Sequence, residues 1–174
     1  EILNALPGSR VRFQAKQLHV PESRAMFVER LARLGFRADQ YALHGLATRS
    51  AYLAAHAEVD IILDTFPYPG GTTTCEALWM GVPTLTLAGD TLIARQGASL
   101  LTAAGLPEWV AHNEADFVTK ATALASDVAS LVKLRAQLRQ QVAVSPLFDA
   151  ERFAKNFEAA LWGMWKSSAV AQNP

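Results

Sequence analysis

The segment Val59-Asp60-Ile61-Ile62-Leu63-Asp64 constrains the fold most strongly. It is apolar and β-branched without a clean polar alternation, the pattern of a strand covered on both faces. A Pro- and Gly-rich loop follows, Phe66-Pro67-Tyr68-Pro69-Gly70-Gly71, and then a helix is predicted over 75–80, stopped by Gly81. The same strand–loop–helix order recurs along the chain. A strand at 41–43 precedes a helix that Thr48 or Ser50 can cap and that runs to about Ala57. A strand at 83–87 precedes a helix at 92–104, and a short strand at 109–111 closes the series. Upstream, a strand at 11–15 leads into a helix from Pro21 to Leu34. Strands separated by helices require parallel pairing with crossover connections. The predicted fold is therefore α/β, a doubly wound Rossmann-like parallel sheet over residues 1–145.

Helical periodicity dominates the rest. Helices are predicted over 114–125 and, restarted by Ser126 or Asp127, over 127–142. A final helix in the 146–174 extension carries Phe153, Phe157, Leu161 and Trp165 at four-residue spacing, with fraying expected from Ser167. Trp162 and Trp165 are expected to pack, and Lys133, Arg135 and Arg139 to form a solvated face. The chain opens on Glu1-Ile2-Leu3 without a Met, so it is expected to be a piece of a longer protein.

Composition narrows the function. With 16 basic and 16 acidic residues the net charge is zero, so no broad phosphate-binding surface is available and nucleic acid is not expected as a partner. Any anion must be met by a local site. The one cysteine, Cys75, cannot close an internal disulfide, which favours a reducing compartment. No apolar run is long enough to span a membrane. The histidines at 19, 44, 56 and 112 lack metal-ligand spacing, and no metal is expected.

In a doubly wound sheet, ligands bind beyond the carboxyl ends of the strands. The loop after strand 59–64 sits there and ends in Gly70-Gly71-Thr72-Thr73-Thr74. The glycines permit close backbone approach and positive φ. The threonines supply hydroxyls at a helix start, where free N–H groups and the dipole suit phosphate. Glu76, one turn in, suits ribose hydroxyls. The same residues also make a plain capped helix. The sequence holds neither a Walker A lysine nor G-x-G-x-x-G. Cys75, at a helix start, is a candidate for a lowered pKa. The loop after strand 41–43 brings Arg49, a cation for a diphosphate, and Tyr52, a face for a base. Arg95 and Gln96 open a third helix at the same edge.

The run Asp60 to Thr65, then Gly70 to Thr73, then Glu76-Ala-Leu-Trp79-Met-Gly81-Val-Pro83, resembles the donor-binding region of inverting glycosyltransferases of the two-domain GT-B architecture. More narrowly, it resembles the O-linked N-acetylglucosamine transferase family, including bacterial homologues and SPINDLY-like proteins. The resemblance covers about residues 40–165, continuing through 89–95 and 145–149. It implies the C-terminal, donor-binding lobe of the catalytic region, which grips UDP-N-acetylglucosamine for inverting, metal-independent transfer to Ser/Thr hydroxyls of a polypeptide. It implies Thr72 and Thr73 at the diphosphate with Gly70, Gly71 and Thr74 around them, Gly71 standing where animal enzymes carry a histidine. Glu76 falls at the ribose carboxylate, and Ala47 where a backbone meets uracil. Arg49 stands in place of a lysine, and Tyr52 in place of a histidine that stacks on uracil. Ala55 stands where a base-contacting arginine is absent. Arg49, Thr72 and Thr73 would stabilise the leaving group. The general base, the N-terminal catalytic lobe and tetratricopeptide repeats would lie upstream, with the final helix packing back towards that lobe. A cytoplasmic location is implied. The alternatives are another nucleotide-binding enzyme, such as an epimerase or dehydrogenase, and a degenerate, non-catalytic interaction lobe.

Overall fold

The computed structural model describes residues 1–171; Gln172 to Pro174 lie outside it. In chain order the elements are α1 (Ile2–Ala5), β1 (Val11–Gln14), α2 (Pro21–Arg33), β2 (Tyr41–His44), α3 (Arg49–Ala54), β3 (Ile62–Leu63), α4 (Thr72–Trp79), β4 (Thr84–Leu87), α5 (Gln96–Ala103), β5 (Val110–Ala111), α6 (Glu114–Ser126), α7 (Val128–Ala143) and α8 (Ala150–Ala171). Every strand pair is parallel. The α/β alternation predicted from the hydropathy pattern is therefore the architecture.

The strands form two hydrogen-bonded sets instead of one continuous sheet: β1–β2, and β3–β4–β5 with β4 in the centre. β3 is shorter than the apolar run predicts. The Val59 carbonyl accepts from the Arg135 guanidinium, which also pairs with Asp60 at 3.7 Å, so the first part of the run is tied to α7 and not to a strand. Ladder bonding begins where Ile62 N–H donates to Pro83 O (3.0 Å) and continues to Asp64 N–H on Leu85 O (2.9 Å).

The core lies around β4 and β5. Leu78 from α4, Leu85 from β4, Leu101 from α5, Phe117 from α6 and Leu138 and Val142 from α7 meet there. β4 is buried over Thr84–Thr86, as expected for a parallel strand covered on both faces. β1 and β2 are only half-buried along their length.

Helix boundaries follow local chemistry. Thr48 caps α3 by accepting from Ala51 N–H (3.3 Å), Asn113 caps α6 through Asp116 N–H (2.8 Å), and Asp127 caps α7 through Ser130 N–H (3.0 Å). Gly81 ends α4 with φ of 76°, and Val82 N–H returns to Ala77 O (2.9 Å), a left-handed C-terminal closure that favours glycine. α7 is not a plain solvated face: besides Arg135, Arg139 stacks its guanidinium 4.9 Å from the Trp79 ring centre.

α8 does not fray at Ser167 but runs to Ala171. Its apolar stripe packs on nothing within the described residues: Phe153, Phe157, Leu161, Trp162 and Trp165 are all exposed. The two tryptophans thus do not fill a core here. Phe153 and Phe157 stack only on each other, with ring centres 5.8 Å apart. No helix among the described residues is long and apolar enough to cross a membrane.

Two substitutions test this core. Leu85→Ala removes a fully buried side chain and is expected to destabilise by about 2–5 kcal/mol in urea unfolding. Thr84 Oγ1 is buried without a hydrogen-bond partner, so Thr84→Val is expected to stabilise by about 1–3 kcal/mol. A loss of stability in the valine variant would contradict an orphaned hydroxyl.

Candidate functional site

Three loops leave the carboxyl ends of β2, β3 and β4, and the helices that follow begin with Arg49, Thr72 and Gln96. The β3 loop, with a cis peptide at Phe66-Pro67, is organised by Asp64. This carboxylate is buried. Gly70 N–H donates to its Oδ1 at 2.7 Å, and Thr86 Oγ1 donates to its Oδ2 at 2.9 Å. The strand end, the loop and the neighbouring strand are thereby joined at one side chain. Burial pushes the Asp64 carboxyl above its ordinary range, against the lowering effect of these donors.

The glycines serve by close approach and not by left-handed backbone, because neither Gly70 nor Gly71 has positive φ. A Cβ on Gly70 would lie 2.5 Å from Thr73 Oγ1 and 2.7 Å from Thr74 Oγ1, so both hydroxyls fold back over the loop. A Cβ on Gly71 would overlap the Gln96 carboxamide.

α4 starts at Thr72, three residues before the predicted Cys75, with Gly71 as a cap that has no side-chain hydrogen bond. Its first-turn N–H groups are left for solvent or a ligand. Thr72 and Thr73 are exposed there; Thr74 is buried, its hydroxyl turned to Gly70. Cys75 is half-buried, and burial followed by the nearby Glu76 charge pushes its thiol up. The helix start does not make it a reactive thiolate.

The other predicted residues converge on α4. Arg49 Nη1 donates to Glu76 Oε1 at 2.6 Å, although 27 residues separate them in the chain. Glu76 is mostly covered, with 13% of its side chain exposed, whereas Arg49 is 71% exposed. The Arg49 end of the pair stays in solvent, so the guanidinium can be released to a stronger anion. Tyr52 joins the same group. Burial, then the nearby Glu76 charge, raise its phenol above the ordinary value. One edge of the Tyr52 ring meets His56, with centres 5.1 Å apart. Ala47 lies exposed on the loop before α3. Cation, carboxylate, aromatic ring and helix end are thus neighbours. Asp64, which anchors the β3 loop, is not among the expected site residues; an acid ending an apolar strand and followed six positions later by glycine is its one signal in the sequence.

An uncapped helix start, a cation and an aromatic ring at the strand edge are features with which Rossmann-like lobes can hold nucleotides. The chain is a member of glycosyl transferase family 41, whose family model matches residues 2–157. It is 41% identical over 174 residues to the Arabidopsis thaliana protein named Probable UDP-N-acetylglucosamine–peptide N-acetylglucosaminyltransferase SPINDLY, covering 99% of this chain and 19% of that one. It is 33% identical over 144 residues to the SEC protein of the same plant and enzyme name, covering 82% of this chain and 15% of that one. Among solved structures, an O-GlcNAc transferase mutant of Thermobaculum terrenum superposes with a TM-score of 0.89 at 34% identity, over 98% of this chain and 33% of that one. The chain therefore spans a fraction of each relative's length.

The raised Asp64 pKa predicts a pH effect. The folded state holds this proton more tightly than the unfolded chain, whose Asp titrates near 3.8. The stability this group contributes is therefore full below the unfolded value and is lost as pH rises through the folded one. Asn does not titrate, so the stability of the wild type relative to Asp64→Asn is expected to increase as pH falls from 7 towards 4. Urea unfolding at a series of pH values reads this, and a difference that stays constant would contradict it.

Proposed function

We propose that this lobe binds UDP-N-acetylglucosamine within a longer protein that transfers the sugar, with inversion, to Ser/Thr hydroxyls of polypeptides. The observation that carries the proposal is the Arg49–Glu76 contact at 2.6 Å, which sets a releasable cation beside the uncapped start of α4. The family membership and the names of the similar proteins supply the substrate class.

In this reading, Glu76 accepts from the ribose hydroxyls, Tyr52 stacks on uracil and the Ala47 backbone meets the base edge. Gly70 and Gly71 bring the chain close to the diphosphate, which Thr72, Thr73 and the N–H groups through Thr74 receive. The acceptor oxygen attacks the anomeric carbon as the bond from that carbon to the β-phosphate oxygen breaks. The electron pair leaves with UDP, and the hydroxyl proton goes to a base outside this chain. Negative charge grows on the diphosphate, where the helix dipole, Thr72, Thr73 and Arg49 oppose it without a metal ion. Such donors act because they are already in place when the charge develops.

Residues 1–145 form the nucleotide lobe and 146–174 the extension in this proposal. The exposed stripe of α8, with Phe153, Phe157, Leu161 and Trp165, supports its packing on an N-terminal catalytic lobe. The relatives' greater length leaves room for that lobe and for tetratricopeptide repeats. The proposed setting is cytoplasmic.

In the full-length protein, Thr73→Ala and Arg49→Ala are each expected to lower turnover by about 10²–10³-fold with little change in melting temperature. Glu76→Ala is expected to weaken UDP binding by calorimetry. Wild-type turnover in both of the first two variants would refute the assignment.

A further inference from the structure

Gln96 is the first residue of α5, and among the described residues its carboxamide makes no hydrogen bond. The side chain is exposed, and its Nε2 lies over the Cα of Gly71. A side chain at position 71 would overlap that nitrogen and come within 3.3 Å of the amide carbon. Gly71 has φ of −111°, outside the left-handed region that favours glycine. The space a side chain would need there is taken by Gln96.

The base of α5 is fixed as firmly as the β3 loop. A Cβ on Gly97 would overlap Thr86 Oγ1 and lie 2.8 Å from Asp64 Oδ2. The start of α5 is therefore pressed against the Thr86–Asp64 pair that also holds Gly70. One buried carboxylate sets both partners of the Gln96–Gly71 contact. The contact places a neutral N–H₂ donor at the mouth of α4, beside N–H groups that have no helical partner.

We propose that Gln96 is an additional donor of the nucleotide site: its Nε2 group, held over Gly71, hydrogen-bonds a phosphate oxygen of a nucleoside diphosphate seated at the start of α4. This rests on the nucleotide-binding reading above. A neutral amide adds a directed contact without adding charge, and it comes from α5, whereas Arg49 comes from α3. Its hydrogen bond strengthens as charge accumulates on the departing diphosphate, so its loss falls on kcat as well as on affinity.

The test is UDP binding by calorimetry and sugar transfer by the full-length protein carrying Gln96→Ala, Gln96→Glu or Gly71→Ala, and the double variant Gly71→Ala with Gln96→Ala. Gln96→Ala is expected to weaken UDP binding by about fivefold to tenfold, the worth of one hydrogen bond, and to lower kcat. Gln96→Glu places an acceptor and a negative charge against phosphate, and is expected to weaken binding more than alanine does. Gly71→Ala displaces the carboxamide, so its loss is expected to be smaller when Gln96 is already alanine than in the wild type. An unchanged melting temperature in Gln96→Ala separates a lost ligand contact from a lost fold. If Gln96→Ala and Gln96→Glu bind UDP within twofold of the wild type while Arg49→Ala weakens it, Gln96 is not a donor and the nucleotide site stands. If the wild type binds no UDP, both proposals fail.

Discussion

Asp64 occupies a place where a carboxylate is unfavourable unless its oxygens are occupied, and the candidate site is built on how they are occupied. One oxygen takes the N–H of Gly70 and the other the hydroxyl of Thr86, so a single buried side chain fixes the β3 loop to the central strand β4. Gly97 packs against the same pair, which carries the restraint to α5. Removing Asp64 would leave a loop with two prolines and two glycines without its anchor, and α4 would lose the register of its first turn. The Arg49–Glu76 bridge, with its guanidinium in solvent, is of a different kind. It costs little to break, and that suits a cation that must exchange a carboxylate for a phosphate.

The fold was largely legible because its strands and helices obey simple periodicities. The apolar β-branched runs at 62–63 and 84–87 became parallel strands, and the caps at Thr48, Asn113 and Asp127 set the helices near their expected starts. Sequence pattern fails where a distant partner decides the outcome. The Val59 carbonyl is diverted from a strand by Arg135, 76 residues later. α4 starts earlier than its apolar residues suggest: Thr72 to Thr74 are already helical, with the Thr73 and Thr74 hydroxyls folded over Gly70. A low-pKa Cys75 was a reasonable expectation from a helix start, but burial and Glu76 act in the opposite direction.

The site was legible as a set of residue types but not as a geometry. Arg49 and Tyr52 lie on α3 and Glu76 on α4, and the Arg49–Glu76 contact makes them one cluster. The glycines were read as conformational devices, whereas their surroundings show that they make room, Gly70 for threonine hydroxyls and Gly71 for an amide. The apolar stripe of α8 was visible in the sequence, and its exposure marks a surface that this chain alone does not cover.

Hydrogen–deuterium exchange on the full-length protein with and without UDP tests the account most directly. Slowed exchange on UDP addition in peptides covering residues 45–52 and 70–76, with α6 unchanged, is the predicted result. UDP binding that leaves both segments exchanging as before would contradict the placement of the nucleotide at the start of α4.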